Sequence, residues 1–169
     1  MKLTEFITIT ITEYLKEQFT IADPEDFNDA LLNLSTLDLE DDQVRYPKMD
    51  GVKKSFLFGG NNYNLLILNR TTLPVSGSFE IEIENDDETI GFIRGTKSNK
   101  IISFNLIHIK EDFRGSGIGT DIYEKFLNLG YTIKSDKEIT DSTYSMYDRL
   151  VVYGYKPIIF DDGRVGLTK

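Results

Sequence analysis

Between an apolar run and an amphipathic run the chain reads Arg114-Gly115-Ser116-Gly117-Ile118-Gly119-Thr120, three glycines in five residues. The amphipathic run predicts that a helix begins there. A helix start carries N–H groups without intrahelical partners and about half a positive charge. Glycine permits positive φ and keeps side-chain atoms away from an approaching group. With Lys110 and Arg114 close by, this is the chemistry of an anion site. The competing reading is a glycine-rich turn that lets a strand and a helix pack closely. A nucleoside-triphosphate loop would need Lys and Ser/Thr after its last glycine, and no Lys follows Gly119. The dinucleotide pattern G-x-G-x-x-G fails too. Its third glycine position holds Thr120 counted from Gly115, and Ile122 counted from Gly117.

Two further residue types could move protons. His108 is the only histidine and closes the apolar run KIISFNLIHI. An imidazole titrates near neutrality and could accept a proton through water. The same residue also reads as a polar end to a strand. Tyr147 carries a phenol that is protonated at neutral pH. On spacing alone it shares a helical stripe with Tyr144 and Leu150 and reads as core. Glu80, Glu82 and Glu84 alternate with Phe79, Ile81 and Ile83, which a strand with one solvated face explains. The chain has no Cys, which excludes disulfides, thiolate metal sites and a cysteine nucleophile.

The elements that must position these groups are legible in outline. Residues 1–20 fit both a helical stripe (Leu3, Ile7, Ile11, Tyr14, Phe19) and a Thr/Ile strand alternation. Asp23 predicts a helix N-cap, with Pro24 in the first turn and Phe27, Ala30, Leu31 and Leu34 on one face. Asp38 to Gly51 is acidic, contains Pro47 and reads as loop. From about Phe56 the pattern turns to strands: NLLILN, then SFEIEIE paired through NDDE with TIGFIRGT. KIISFNLIHI is apolar on both faces, which predicts a central strand. After the glycines, Ile118, Ile122, Phe126 and Leu129 form a helical stripe that stops at Gly130. YTIK reads as a short strand, TDSTYSMYDRLVVYG as a capped helix, and YKPIIF with RVGLT as a hairpin around DDG. The expected fold class is α/β (α+β): a single mixed, largely antiparallel sheet flanked by helices. One domain over residues 1–169 is expected, with residues 1–55 a helical and loop N-terminal segment.

A net charge of −9, with 28 acidic against 19 basic residues, argues against a nucleic-acid binder, which needs a basic face. It is compatible with a cationic partner, and the plainer reading is an acidic surface that keeps the protein soluble. No run approaches the roughly 18 apolar residues of a membrane span, and the first residues lack the features of a signal peptide. A cytoplasmic location is expected. Oligomeric state stays open, a homodimer included.

HIKEDFRGSGIGTDIYEKF resembles the signature of the GNAT superfamily of N-acetyltransferases, Arg/Gln-x-x-Gly-x-Gly/Ala after an apolar strand, here Arg114-x-x-Gly117-x-Gly119. STYSMYDRLVVYGY resembles the later family segment A-x-x-L-Y-E-K-L-G-F, with Met146 to Leu150 in its core. Val151, Val152 and Tyr153 then separate that core from Gly154-Tyr155, and Thr140 occupies a position where the family often has Asn. The resemblance covers roughly Phe79 to Lys169, and Ser135-Asp136-Lys137 resembles acetyltransferase-like proteins of tailed phages. It implies a GNAT-like fold and acetyl-CoA as co-substrate, with a small-molecule amine or a protein lysine or N-terminus as acceptor. It implies that backbone groups of Ile107, His108 and Ile109 bond the pantetheine arm and acetyl carbonyl. Arg114, Gly115, Ser116, Gly117, Ile118, Gly119 and Thr120 would cradle the pyrophosphate, and Thr140 would lie against the cofactor. Tyr147 would be the general acid, and His108 ranks first for the base. Two other classes remain: a non-catalytic module of the same fold that binds CoA or a protein, and a structural or virion-associated protein that reuses the fold.

Overall fold

Asp23 starts the first described helix as its sequence dictates. Its Oδ1 accepts the N–H groups of Glu25 and Asp26 at 3.0 and 2.9 Å, and Pro24 fills the first helical position. Helix α1 (Pro24–Leu32) buries Phe27 and Leu31, with Ala30 and Leu34 partly buried beside them. The computed structural model describes residues 19–36, 54–59, 64–69, 76–85 and 88–169, and for 35–36, 54–59, 64–69 and 76 the backbone path alone. The expectations for residues 1–18 and for Asp38–Gly51 lie outside the described residues. Phe19–Ile21 forms strand β1.

The remaining elements follow the order read from the sequence, with two short strands, Ser35–Thr36 and Glu138–Ile139, that it did not reveal. They are β2 (Ser35–Thr36), β3 (Lys54–Gly59), β4 (Asn64–Asn69), β5 (Ser76–Asn85), β6 (Glu88–Ser98) and β7 (Ile101–Ile109). After a 3₁₀ turn at Glu111–Phe113 come α2 (Ile118–Asn128), β8 (Thr132–Lys134), β9 (Glu138–Ile139), α3 (Asp141–Val152), β10 (Lys156–Phe160) and β11 (Val165–Thr168). The described strands form one nine-stranded sheet in the order β1-β10-β11-β8-β7-β6-β5-β4-β3, and β2 pairs with β9 separately. Only β7 and β8 run parallel among neighbours in the large sheet. The architecture is therefore α/β, with a single mixed, largely antiparallel sheet flanked by helices. KIISFNLIHI lies at its centre, where residues apolar on both faces belong.

Two crossovers place the helices. The connections β7-α2-β8 and β8-α3-β10 both step the same way across the sheet. Right-handed crossovers then put α2 and α3 on one face. Their contact agrees: the rings of Tyr123 and Tyr147 meet at 5.8 Å between centroids. Phe104 of β7 touches Tyr123 at 4.9 Å and Phe126 at 5.3 Å, while Tyr147 reaches Phe27 of α1 at 6.2 Å. This aromatic chain ties the central strand to all three described α-helices. Such pairs contribute about 0.5–1.5 kcal/mol each beyond their buried area. On β5 the alternation is as expected, with Phe79, Ile81 and Ile83 in this core and the three glutamates partly exposed. Leu129 departs from its expected place. It is the α2 C-cap and is exposed, because Gly130 turns the chain with φ 85° one residue later, and Tyr123 and Leu127 widen the buried stripe instead.

The opposite face is apolar as well. Phe92 pairs with His108 across β6 and β7, and their rings lie 5.6 Å apart. Phe160 and Ile158 of β10 are buried there too, outside the helix-side core.

Tyr123 and Tyr147 are sealed in the core. Burial pushes both phenols above their ordinary 10.0, most strongly Tyr147, where Tyr123 adds to the effect. In the unfolded chain they ionise near pH 10. Their contribution to stability is thus fully present below pH 10 and is lost as pH rises above it, because the folded state holds protons that the unfolded chain releases. Denaturant midpoints measured from about pH 8 to pH 11.5 should fall above pH 10, and less steeply in Tyr147→Phe. Equal slopes for the two proteins would mean that Tyr147 ionises as easily in the core as in the unfolded chain.

Candidate functional site

On its β6 side, β7 is paired from Ile101↔Ser98 to Ile109↔Gly91. On its β8 side the pairing stops after Ile101↔Thr132, Ile102↔Ile133 and Ser103↔Lys134. The N–H of Ser135 continues the ladder with β11, donating to the Val165 carbonyl at 2.8 Å. From there the β8 chain follows β11, and on that side Phe104–Ile109 runs on without a described strand beside it. A split thus opens at the centre of the sheet.

Both banks of the split have a physical cause. On β7 the register with β6 shifts: Gly95 pairs with Phe104 and Arg94 with Leu106, so Asn105 is an extra residue. A bulge bends its strand and increases the local twist. On the other bank Lys134 is buried and its Nζ lies 2.9 Å from Asp162 Oδ2, in the turn between β10 and β11. Arg164 Nη2 sits 2.8 Å from the same oxygen. Partial burial would raise the Asp162 carboxyl, but the bonds from Arg164 and Lys134 outweigh it and hold the group well below the usual carboxylate range. This ion cluster fastens the end of β8 to the hairpin and away from β7. Asn105 Nδ2 donates to Asp136 Oδ2 across the opening at 3.4 Å. Ligands in open α/β sheets bind in the crevice beyond the carboxyl ends of parallel strands, and this split occupies that place.

The glycine loop lies at the far end of β7. Lys110 N–H donates to the Ile90 carbonyl at 2.8 Å, and the 3₁₀ turn then redirects the chain. Gly115 and Gly117 have φ of 73° and 90°, so the turn itself requires glycine at both. Gly117 is the N-cap of α2 and supplies no side chain to cap it. The N–H groups of Ile118, Gly119 and Thr120 precede the first helical bond, from Asp121 N–H to the Gly117 carbonyl at 3.0 Å. A Cβ at Gly115 or Gly117 would meet no atom within 4 Å, and one at Gly119 would meet only Met146 Sδ at 3.8 Å. Nothing packs tightly on these glycines, so close approach of strand and helix does not account for them. Gly119 has neither a positive φ nor a crowded neighbour, and in a helix it costs about 1 kcal/mol relative to Ala.

The two cations of the loop are engaged locally. Arg114 Nε donates to the Ile109 carbonyl at 2.8 Å, and Lys110 Nζ pairs with Glu88 at 3.0 Å. Arg114 therefore ties the loop to the end of β7. Ser116 Oγ donates to the Phe113 carbonyl at 2.7 Å, Ile118 is core, and Thr120 is buried. Asp121 is a negative group in the first turn of α2, and its carboxyl is pushed up by partial burial and by Glu124.

Tyr147 lies on the helix face with no exposure to solvent, and its hydroxyl makes no hydrogen bond. Tyr123 is near enough to influence its ionisation, but the two phenols lack hydrogen-bond geometry. His108 is on the other face. Ile93 belongs to the helix-side core and the strand alternates, so Phe92 and its partner His108 point away from Tyr147. Ile107 and Ile109 are partly buried against the helix-side core. The Thr140 hydroxyl caps α3: it accepts the Thr143 N–H at 3.2 Å and lies 2.9 and 3.0 Å from the hydroxyls of Ser142 and Thr143. The open edge of β7, the glycine loop, Met146 and Tyr147 thus share one side of the sheet, and His108 approaches from the other. Sequence reading missed the Asn105 bulge and the place of Ser135 at the vertex of the split. An Asn inside an otherwise apolar strand was the signal for the bulge.

No protein-family model matches this chain, and no curated protein matches it. Among solved structures, one match is a Bacteroides thetaiotaomicron protein assigned to the GNAT family of acetyltransferases. The identity is 15%, the TM-score is 0.38, and the match covers 54% of this chain and 61% of that chain. A likeness that distant leaves function to be argued from the site.

Proposed function

We propose that this protein is an acetyl-CoA-dependent N-acetyltransferase acting on a primary amine, either a small molecule or a protein lysine or N-terminus. The observation that carries the reading is the split between β7 and β8, with an uncapped, glycine-opened helix start at its far end. An extended thioester-bearing arm fits beside an unpaired strand edge, and a pyrophosphate fits against bare N–H groups.

The N–H groups from Gly115 to Thr120 bind phosphate oxygens, and the missing side chains admit them. The protein carries −9 overall, so attraction of a polyanion depends on these local donors. Arg114 positions the cradle by fixing the loop to β7, and Thr140 caps the start of α3. The open backbone edge ending in Ile107–Ile109 holds the arm and the acetyl carbonyl. In acetyl transfer the amine nitrogen attacks the thioester carbon, the C–S bond breaks, and the thiolate takes a proton. Tyr147 supplies that proton from the helix side. Its raised pKa keeps the phenol protonated throughout the neutral range. His108, on the other face, takes the proton from the incoming amine through water.

The complete burial of Tyr147 supports a second reading, a module that binds CoA without turnover. Turnover separates the two.

The cradle is tested by Gly119→Ala. The new methyl group makes only an ordinary contact with Met146 and suits a helix, so the apo protein should melt at the same or a higher temperature. The same methyl should obstruct the phosphates and reduce the CoA-induced rise in melting temperature. A wild type unshifted by millimolar CoA would overturn the reading.

Tyr147→Phe keeps the ring in the aromatic chain and deletes an unpartnered hydroxyl, so stability should be unchanged or higher. The loss of a general acid should lower kcat by about 10²–10⁴-fold with acetyl-CoA affinity retained. Wild-type turnover by a folded variant would remove Tyr147 from the chemistry.

A further inference from the structure

We infer that the Ser135 hydroxyl is a ligand-contacting group at the vertex of the split, donating a hydrogen bond to a carbonyl oxygen of the bound thioester-bearing arm. The inference rests on the reading above and adds a binding residue to it.

Ser135 is the first residue of the β8 segment past the last pairing with β7. Its N–H goes to Val165, which continues the register one step past Gly166↔Lys134. Ile133, Val165 and Leu167 all belong to the helix-side core, so strand alternation puts the Ser135 side chain on that face, the face of Tyr147. Ser135 is 2% exposed, and its hydroxyl has no hydrogen-bond partner. Among the described residues the other buried side-chain oxygens in that condition are Tyr147 Oη and Asn85 Oδ1, the latter at the far end of β5.

A buried hydroxyl without a partner is destabilising, and an alanine of nearly the same shape would avoid the cost. Two such hydroxyls occur on one side of the sheet, one at the vertex of the split and one on the helix packed over it. That arrangement fits a ligand with two polar features near its reacting end. Tyr147 is assigned to the sulfur, which leaves Ser135 for a carbonyl, either that of the thioester or that of the nearest amide of the arm. The neighbouring Asp136 and Asn105 are bonded to each other and are not competing partners for the hydroxyl.

The test compares wild type with Ser135→Ala and Ser135→Cys by thermal melting and by titration with acetyl-CoA and with CoA. Apo stability of Ser135→Ala should be equal to or above wild type, and acetyl-CoA should bind about three- to tenfold more weakly, the range for one hydrogen bond. Ser135→Cys, close in shape and a weak donor, should show the same loss. If acetyl-CoA binding falls while CoA binding is unchanged, the partner is the thioester carbonyl. If both fall, it is an amide of the arm. Unchanged affinity for both ligands in both variants would overturn the inference while leaving the acetyltransferase reading intact. A marked fall in apo stability would overturn it too, because the hydroxyl would then have a structural partner. A wild type that binds neither ligand would remove the acetyltransferase reading and this inference with it.

Discussion

The structure depends on one interruption of hydrogen bonding: β7 and β8 pair through Ser103↔Lys134 and then part. Unpaired backbone in the middle of a sheet is costly, because a buried N–H or C=O must find a partner. The interruption is held from both banks. Asn105 bulges β7 against β6, and Lys134, Asp162 and Arg164 fasten β8 to the β10–β11 hairpin. Closing the split would mean undoing a bulge and an ion cluster together. The backbone edge it exposes is therefore a fixed feature of the fold.

Packing on the helix side serves the same opening. Phe104, the first β7 residue past the last pairing with β8, rests on Tyr123 and Phe126 of α2. Tyr123 rests on Tyr147, and Tyr147 on Phe27. The helix that carries the glycine loop at its start thus carries the vertex of the split at its middle. A 1.5 Å rise per residue makes that spacing rigid. The orientation of α2 fixes where its uncapped N–H groups point relative to the open strand edge.

Charge works locally in this protein. Its acidic excess opposes a polyanion at long range, and the nearby cations Lys110 and Arg114 are tied to Glu88 and to the Ile109 carbonyl. At the helix start the loop offers backbone N–H groups, because Gly117 supplies no capping side chain. Backbone N–H groups carry partial charge without counterions and hold their direction without side-chain entropy. They suit phosphate recognition on an acidic surface. The same economy governs the Lys134 cluster, where a buried ammonium meets one shared carboxylate oxygen and the face of Phe160, 4.5 Å from the ring centroid.

The sequence by itself determined most of the longer elements and the loop. Asp23 and Pro24 begin a helix, Phe79 to Ile83 alternate on one sheet face, and the apolar run before His108 forms the central strand, because capping, pleat alternation and two-sided burial are local or nearly local rules. The positive-φ glycines were legible for the same reason. Only the tertiary structure decided what lies on which side. Spacing could not show that His108 and Tyr147 occupy opposite faces, since a single bulge at Asn105 exchanges the faces of every later β7 residue. It could not show that Leu129 is solvent-facing or that the Ser135 hydroxyl stands buried without a partner. Those facts depend on where β8 leaves β7, and that is settled by contacts between residues far apart in the chain: Lys134 with Asp162, Ser135 with Val165 and Phe104 with Tyr123.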